Sequence, residues 1–262
     1  MTMLPLIQVD AFADRPFTGN PAAVMPMYEW LPDEILQAIA MENNLSETAF
    51  TIPDATGAAD FELRWFTPGL EIKLCGHATL ASAHVLLGER DHISFRTRKA
   101  GILEVTRVGD GYSMSLPAYP PVPQPLPHLV AGLGCDAVET LWHEGRYALI
   151  VLENEAQVRA LAPDFRVLID DGDTMTIATA PGETSDVVSR VFVPGAGVDE
   201  DPVTGSAHSV LVPYWATRLG RSDAMNFYQA SKRGGQLTGR LEGDRVILGG
   251  KCVTVLEGLM TI

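Results

Sequence analysis

Cysteine is scarce in this chain: three residues, Cys75, Cys135 and Cys252, in 262. An odd set without close spacing argues against a disulfide framework and suggests no metal cluster, so reduced thiols in the cytoplasm are expected. Positive charge is scarce as well. Lys and Arg number 19 against 33 Asp and Glu, a formal net charge of −14, and a phosphate-coated partner is repelled unless a local basic stripe offsets it. The densest basic stretches, Arg96, Arg98 and Lys99 and the pair Lys232 and Arg233, are too short for a nucleic-acid footprint. No run of about 18 uncharged apolar residues occurs, and Met1 to Asp10 lacks the basic and apolar regions of an export signal. Neither nucleic acid nor membrane is therefore an expected partner. A Walker loop and a dinucleotide fingerprint after a strand are also missing.

What is present suits a folded protein of one large or two medium domains, with 46% apolar and 20% charged residues. Strand-like runs at 6–12 and 21–25 flank the turn-rich 14–21. A helix starts from Pro32, which suits a first helical turn, carries Ile35, Leu36, Ile39 and Ala40 at helical spacing, and stops at Asn43-Asn44. Strands follow at 45–52 and 61–67, then an Ala-rich helix from Gly76, then strands near 92–98, 101–107 and 111–116. Six prolines in the eleven residues 117–127 read as a stiff connector that is neither helix nor central strand. Beyond it the order recurs: strands at 138–144 and 147–152, a helix opened by Asn154, strands at 174–180 and 187–193, and a small-residue helix from Gly205. The expected domains are 1–117, completed by a C-terminal strand at about 254–262, and 124–250.

The repeat is visible in the residues, since Gly76-His77-Ala78-Thr79-Leu80 is similar to Gly205-Ser206-Ala207-His208-Ser209. Two buried helices of small residues would leave their first amides unpaired, a site for a carboxylate or phosphate. Glu47 is a lone carboxylate in an uncharged strand-like run, either a buried general base or acid or a solvated strand-end residue. Cys75 and His77 open a helix whose dipole would lower the thiol pKa and favour neutral imidazole. A cysteine-nucleophile hydrolase lacks a third residue to orient the histidine, and His77 by itself reads equally as a packed or capping residue and as a catalytic one. Asp201 lies in the acidic loop 199–201 that runs into the second helix. It offers either a second carboxylate or a solvated turn capped by Thr204 or Ser206. At helical spacing His208 packs. The run 170–173 is not a calcium loop, because Pro181 stands where the bidentate Glu would be.

Taken in order, Asp10-Ala-Phe12 with 17–21, Leu45-Ser46-Glu47, Arg64-Trp-Phe66-Thr67-Pro68 with Glu71, Leu74-Cys75-Gly76-His77-Ala78-Thr79, and Glu200-Asp201-Pro202-Val203-Thr204-Gly205-Ser206 resemble the phenazine biosynthesis PhzF-like isomerase and epimerase family. Gln229 with Arg233 resembles a weaker signature. Lys73, Ala230 and Gly234 depart from the usual pattern beside these motifs. The resemblance implies an α/β, diaminopimelate epimerase-like fold of two pseudo-symmetric halves, each a sheet around a central helix, with the site in the cleft between them. It implies a cofactor-independent, metal-free isomerase that moves a proton between carbons of a small carboxylate, and a homodimer. Glu47 would be the proton shuttle, with His77 and Asp201 assisting, and Asn20, Gly76, Gly205 and Ser206 binding substrate. Related two-cysteine epimerases place one thiol in each half; here Asp201-Pro202 stands where the second thiol would be. An amino-acid epimerase using other bases and a non-catalytic small-molecule-binding protein are the alternatives.

Overall fold

The computed structural model describes residues 2–262. The chain is a mixed α/β protein that divides into two compact units, Met1–Ser115 with Gly249–Ile262, and Leu116–Leu248. Among the described residues no helix is long and apolar enough to cross a membrane.

In the first unit the strand Met3–Ala11 runs antiparallel to both Cys252–Thr261 and Asn20–Pro26, which ties the two chain ends into one sheet. Asn20–Pro26 is parallel to Glu47–Pro53, a crossover supplied by the helix Asp33–Asn43. Pro32 precedes that helix, and Asn44 ends it in the left-handed region (φ +49°), as a helix stop requires. Glu47–Pro53 then pairs antiparallel with Phe61–Phe66. In His92–Thr97 the buried side chains are Ile93, Phe95 and Thr97, every second residue, so this strand covers core on one face only.

The helix Gly76–Leu86 is buried over its first eight residues, Gly76 to Ala83. It packs against Met3–Ala11, Asn20–Pro26 and Glu47–Pro53. An all-round apolar environment explains why it carries no polar face and why Ala, Gly, Ser and Thr dominate it. Its buried hydroxyls are satisfied locally: Thr79 Oγ1 donates to the Cys75 carbonyl at 2.6 Å and Ser82 Oγ to the Ala78 carbonyl at 2.7 Å.

The second unit joins Glu139–His143, Tyr147–Val151, Met175–Pro181, Val187–Val193, Met225–Gln229 and Gly235–Glu242 through alternating antiparallel and parallel pairings. Its long helix, His208–Leu219, is buried from His208 to Ala216 and packs against Tyr147–Val151 and Gly235–Glu242. It begins three residues later than the Gly205 start expected from sequence. Residues 205–207 form a tighter lead-in turn, in which the N–H groups of His208, Ser209 and Val210 each donate three residues back.

The proline-rich segment also differs from expectation. Val122–Pro123 pairs with Glu139–His143, and Pro127 opens the short helix Pro127–Leu133. Proline is tolerated in both places, on a peripheral strand and in a first helical turn, because neither needs its missing N–H.

Candidate active site

Three neighbouring elements of the first unit bring Asn20, Glu47, Cys75 and His77 together. Asn20 begins its strand, Glu47 begins the parallel neighbour, and His77 is the second residue of the buried helix. Asn20 is set by Gly19, whose φ of +67° and contact with the Ala11 carbonyl leave no room for a Cβ, which would lie 2.2 Å from that oxygen.

Glu47 is not a solvated strand-end residue: its side chain is 14% exposed, and Oε2 lies 2.9 Å from Nε2 of the buried His77. The two atoms meet off the hydrogen-bonding direction, and both are buried without a well-directed partner. On the other side of the ring, Nδ1 lies 3.3 Å from Asn20 Nδ2 and 3.4 Å from Cys75 Sγ. In its neutral form the ring accepts at Nδ1 from the Asn20 amide N–H and the Cys75 thiol, with Nε2–H facing Glu47.

The electrostatics reverse two expectations. Burial, reinforced by the Glu47 carboxylate, pushes the Cys75 thiol up and overrides any gain from the helix start. Burial alone would lower His77, yet its pKa is raised by the adjacent Cys75 sulfur and the Glu47 carboxylate. Since the thiol stays protonated, the Glu47 charge is the cause that survives. Glu47, Cys75 and His77 offer ligating atoms all within 4.8 Å of one another, a metal-ligand set that the cysteine spacing in the sequence did not suggest.

Arg64 and Glu71, noted only as motif residues, support this corner. The Arg64 side chain is 2% exposed and grips Glu71 with two parallel bonds, Nε to Oε1 at 2.8 Å and Nη2 to Oε2 at 2.9 Å, while Nη1 reaches Asp33 at 2.9 Å. The clamp ties the Phe61–Phe66 strand to the segment that leads into Cys75. The Arg64 hydrogen bonds hold the Glu71 carboxyl below the usual range.

In the second unit Asp201 ends the strand Val198–Asp201. Its carboxylate accepts from Thr204 Oγ1. Gln229, fully buried, holds the turn: Nε2 donates to the Asp201 carbonyl at 2.7 Å, and the Thr204 N–H donates to Oε1 at 2.8 Å. Gly205 and Ser206 occupy the lead-in turn of the helix. His208 is buried and packs, as expected. Nδ1 donates to the Thr204 carbonyl at 2.9 Å, the ring meets Phe227 edge-on at 4.9 Å, and burial pushes its pKa down to about 4.

Sequence reasoning missed an aromatic group here. Tyr147 shares a hydrogen bond with Ser206, and burial pushes its phenol up. Tyr119 stacks on His143 with ring centroids 4.6 Å apart, and its N–H donates to the Ser209 carbonyl at 2.7 Å. The Trp-His-Glu-Gly-Arg-Tyr run at 142–147, two aromatics and a histidine around a tight turn, was the available signal.

The chain matches the phenazine biosynthesis-like protein family (PhzC-PhzF) over residues 9–131 and 133–258. It is 47% identical over 262 residues to an uncharacterized isomerase of Pseudomonas aeruginosa, a match covering 98% of both chains. The crystal structure of a phenazine biosynthesis protein of the PhzF family from Enterococcus faecalis is 42% identical, with a TM-score of 0.93 over 100% of both chains. A hydroxyproline epimerase from Agrobacterium vitis shares the fold alone, at 11% identity and a TM-score of 0.62, covering 98% of this chain and 92% of that one. The chain thus belongs to the PhzF-like family and has its diaminopimelate epimerase-like α/β fold.

Proposed function

We propose that this chain is a cofactor-independent isomerase that moves a proton between carbons of a small carboxylate, with Glu47 as the carrier. The observation that carries the reading is the buried contact of Glu47 Oε2 with His77 Nε2 at 2.9 Å. It engages one oxygen of the carboxylate, and the other would meet a substrate C–H. The Pseudomonas relative's name, isomerase, agrees with it.

In the proposed step Glu47 removes a proton from a carbon next to a conjugated system. The electron pair left behind delocalises, and Glu47, whose carboxyl proton can exchange with solvent, returns a proton at a different carbon, with no net change in oxidation state. A dry site with donors aimed at the developing charge lowers the barrier. His77 would donate from Nε2–H as charge develops, Asn20 would orient the imidazole through Nδ1, and Asp201 would hold or protonate a polar substrate group. Gly76, Gly205 and Ser206 would present backbone N–H groups at helix starts to the substrate carboxylate. Three free thiols are consistent with a cytoplasmic setting, and a homodimer is the assembly we carry over from the family.

The test is exchange of carbon-bound hydrogen with D2O, followed by NMR, across a panel of β,γ-unsaturated carboxylates and saturated amino acids. The proposal predicts allylic exchange by the wild-type chain and none above background by Glu47→Gln. Exchange confined to the α-carbon of saturated amino acids, with loss of optical purity, identifies an epimerase instead. Tight binding of a carboxylate that the wild-type chain never exchanges identifies a binding protein.

A further inference from the structure

The geometry points to a second use of the same corner: Glu47, Cys75 and His77 form a capture site for a thiophilic divalent ion of the Zn2+ class, and an ion held there silences the carboxylate. One carboxylate, one thiol and one imidazole are a zinc-type donor set, and their ligating atoms lie within 4.8 Å of one another. A tetrahedral zinc site has donor-to-donor edges of roughly 3.3–3.6 Å. A second, independent sign is that His77 Nε2 and Glu47 Oε2 are both buried without a well-directed hydrogen-bond partner, and native proteins rarely leave such atoms unmet.

As the ring stands, Sγ faces Nδ1 and Oε2 faces Nε2, so no single nitrogen points between them. A half-turn of the imidazole about its Cβ–Cγ bond places Nε2 where Cε1 now stands, between sulfur and oxygen. The turn gives up the Asn20 contact to Nδ1 and gains a metal bond. In the binding step the Cys75 S–H bond breaks, its proton leaves to solvent, and the sulfur lone pair forms the metal–sulfur bond; nothing is oxidised or reduced. A fourth position is left to water or to an anionic ligand. Binding needs none of the chemistry proposed above; only the silencing rests on Glu47 being the proton carrier.

The test is titration of the full reduced chain with Co2+, as a spectroscopic stand-in for Zn2+, in a phosphine reductant that contributes no thiol. The expected result is one saturable site per chain, with a thiolate-to-cobalt charge-transfer band and tetrahedral visible bands, displaced by one equivalent of Zn2+. Cys75→Ser removes the charge-transfer band and weakens Zn2+ binding about a hundredfold, whereas Cys135→Ser keeps both. Should Cys75→Ser fail to fold, X-ray absorption at the zinc edge of the wild-type chain decides, with one sulfur and at least one nitrogen in the coordination sphere expected. Absence of the thiolate band, its persistence in folded Cys75→Ser, or a zinc sphere without sulfur overturns the site. Loss of proton exchange on Zn2+ loading, restored by chelation, extends it to silencing; a loaded chain that still exchanges removes the silencing and leaves the proposed function to its own test.

Discussion

His77 is the second residue of one buried helix and His208 the first residue of the other, yet their imidazoles are shifted in opposite directions. Both are almost fully shielded from water, so burial acts on each to lower its pKa. The difference is the neighbour. His208 meets a neutral backbone carbonyl and an aromatic edge, and burial wins. His77 meets a carboxylate at 2.9 Å, and the charge wins. The two carboxylates differ in the same sense. Asp201 is held by the Thr204 hydroxyl within a turn fixed by Gln229, whereas Glu47 Oε2 has a close but poorly aligned neighbour. A carboxylate tied to a neighbouring hydroxyl is suited to positioning, and one with a poorly aligned neighbour to receiving a proton.

The supports of the two regions differ too, and the strongest way to break the comparison is to remove each. Arg64→Leu should cost about 3 kcal/mol in urea unfolding, because it removes a buried guanidinium and leaves the largely shielded Glu71 carboxylate without its two-bond partner. The wild-type clamp should also weaken in acid. The Glu71 carboxyl is held below its usual range, so its contribution is present above the unfolded carboxylate pKa and lost as pH falls through the folded one.

The histidines provide a prediction of opposite signs. With a folded pKa of about 4 against an unfolded 6.5, His208 contributes stability that is full above pH 6.5 and lost as pH falls towards 4. The advantage of the wild type over His208→Phe should therefore shrink by on the order of 3 kcal/mol across that window. His77, raised in the fold, contributes stability that is full below its unfolded value and lost as pH rises through the folded one. The advantage over His77→Gln should fall with rising pH. Denaturant midpoints measured at several pH values check both, and parallel trends would break the contrast.

Gln229→Leu should cost a smaller amount, about 1–3 kcal/mol, since it leaves the Thr204 N–H and the Asp201 carbonyl without their partner. The smallest effect is expected at Asn20→Ala, about 1 kcal/mol in unfolding. That variant should also shift the 15N resonance of His77 Nδ1, which loses a donor at 3.3 Å.

What the sequence revealed and what it hid follow from range. Pro32, Asn44 and Asn154 were legible because helix entry and exit depend on residues one to three positions away; Asn154 Oδ1 indeed accepts from the Gln157 N–H at 3.0 Å. The burial of Gly76–Leu86 was legible from its small residues, whereas His208–Leu219 also buries Leu211, Tyr214 and Trp215. The helix Pro127–Leu133 was hidden because proline both breaks and starts helices, and a dense run of it does not say which. Glu47 and His77 could be singled out, but not that they touch. Asn20 lies 57 residues from His77 and Gln229 25 from Thr204, and only the folded sheets bring them together. Arg64 was visible as a motif residue, while its role as a clamp needed the position of Asp33.

The contrast between the two carboxylates is tested most directly by one paired rate. Deuterium incorporation at the allylic carbon of an exchanging substrate should fall to solvent background in Glu47→Gln, a loss of about 10²–10⁴-fold. In Asp201→Asn it should be slowed yet measurable. Background incorporation in Asp201→Asn together with retained incorporation in Glu47→Gln would place the proton carrier in the second unit and contradict the account.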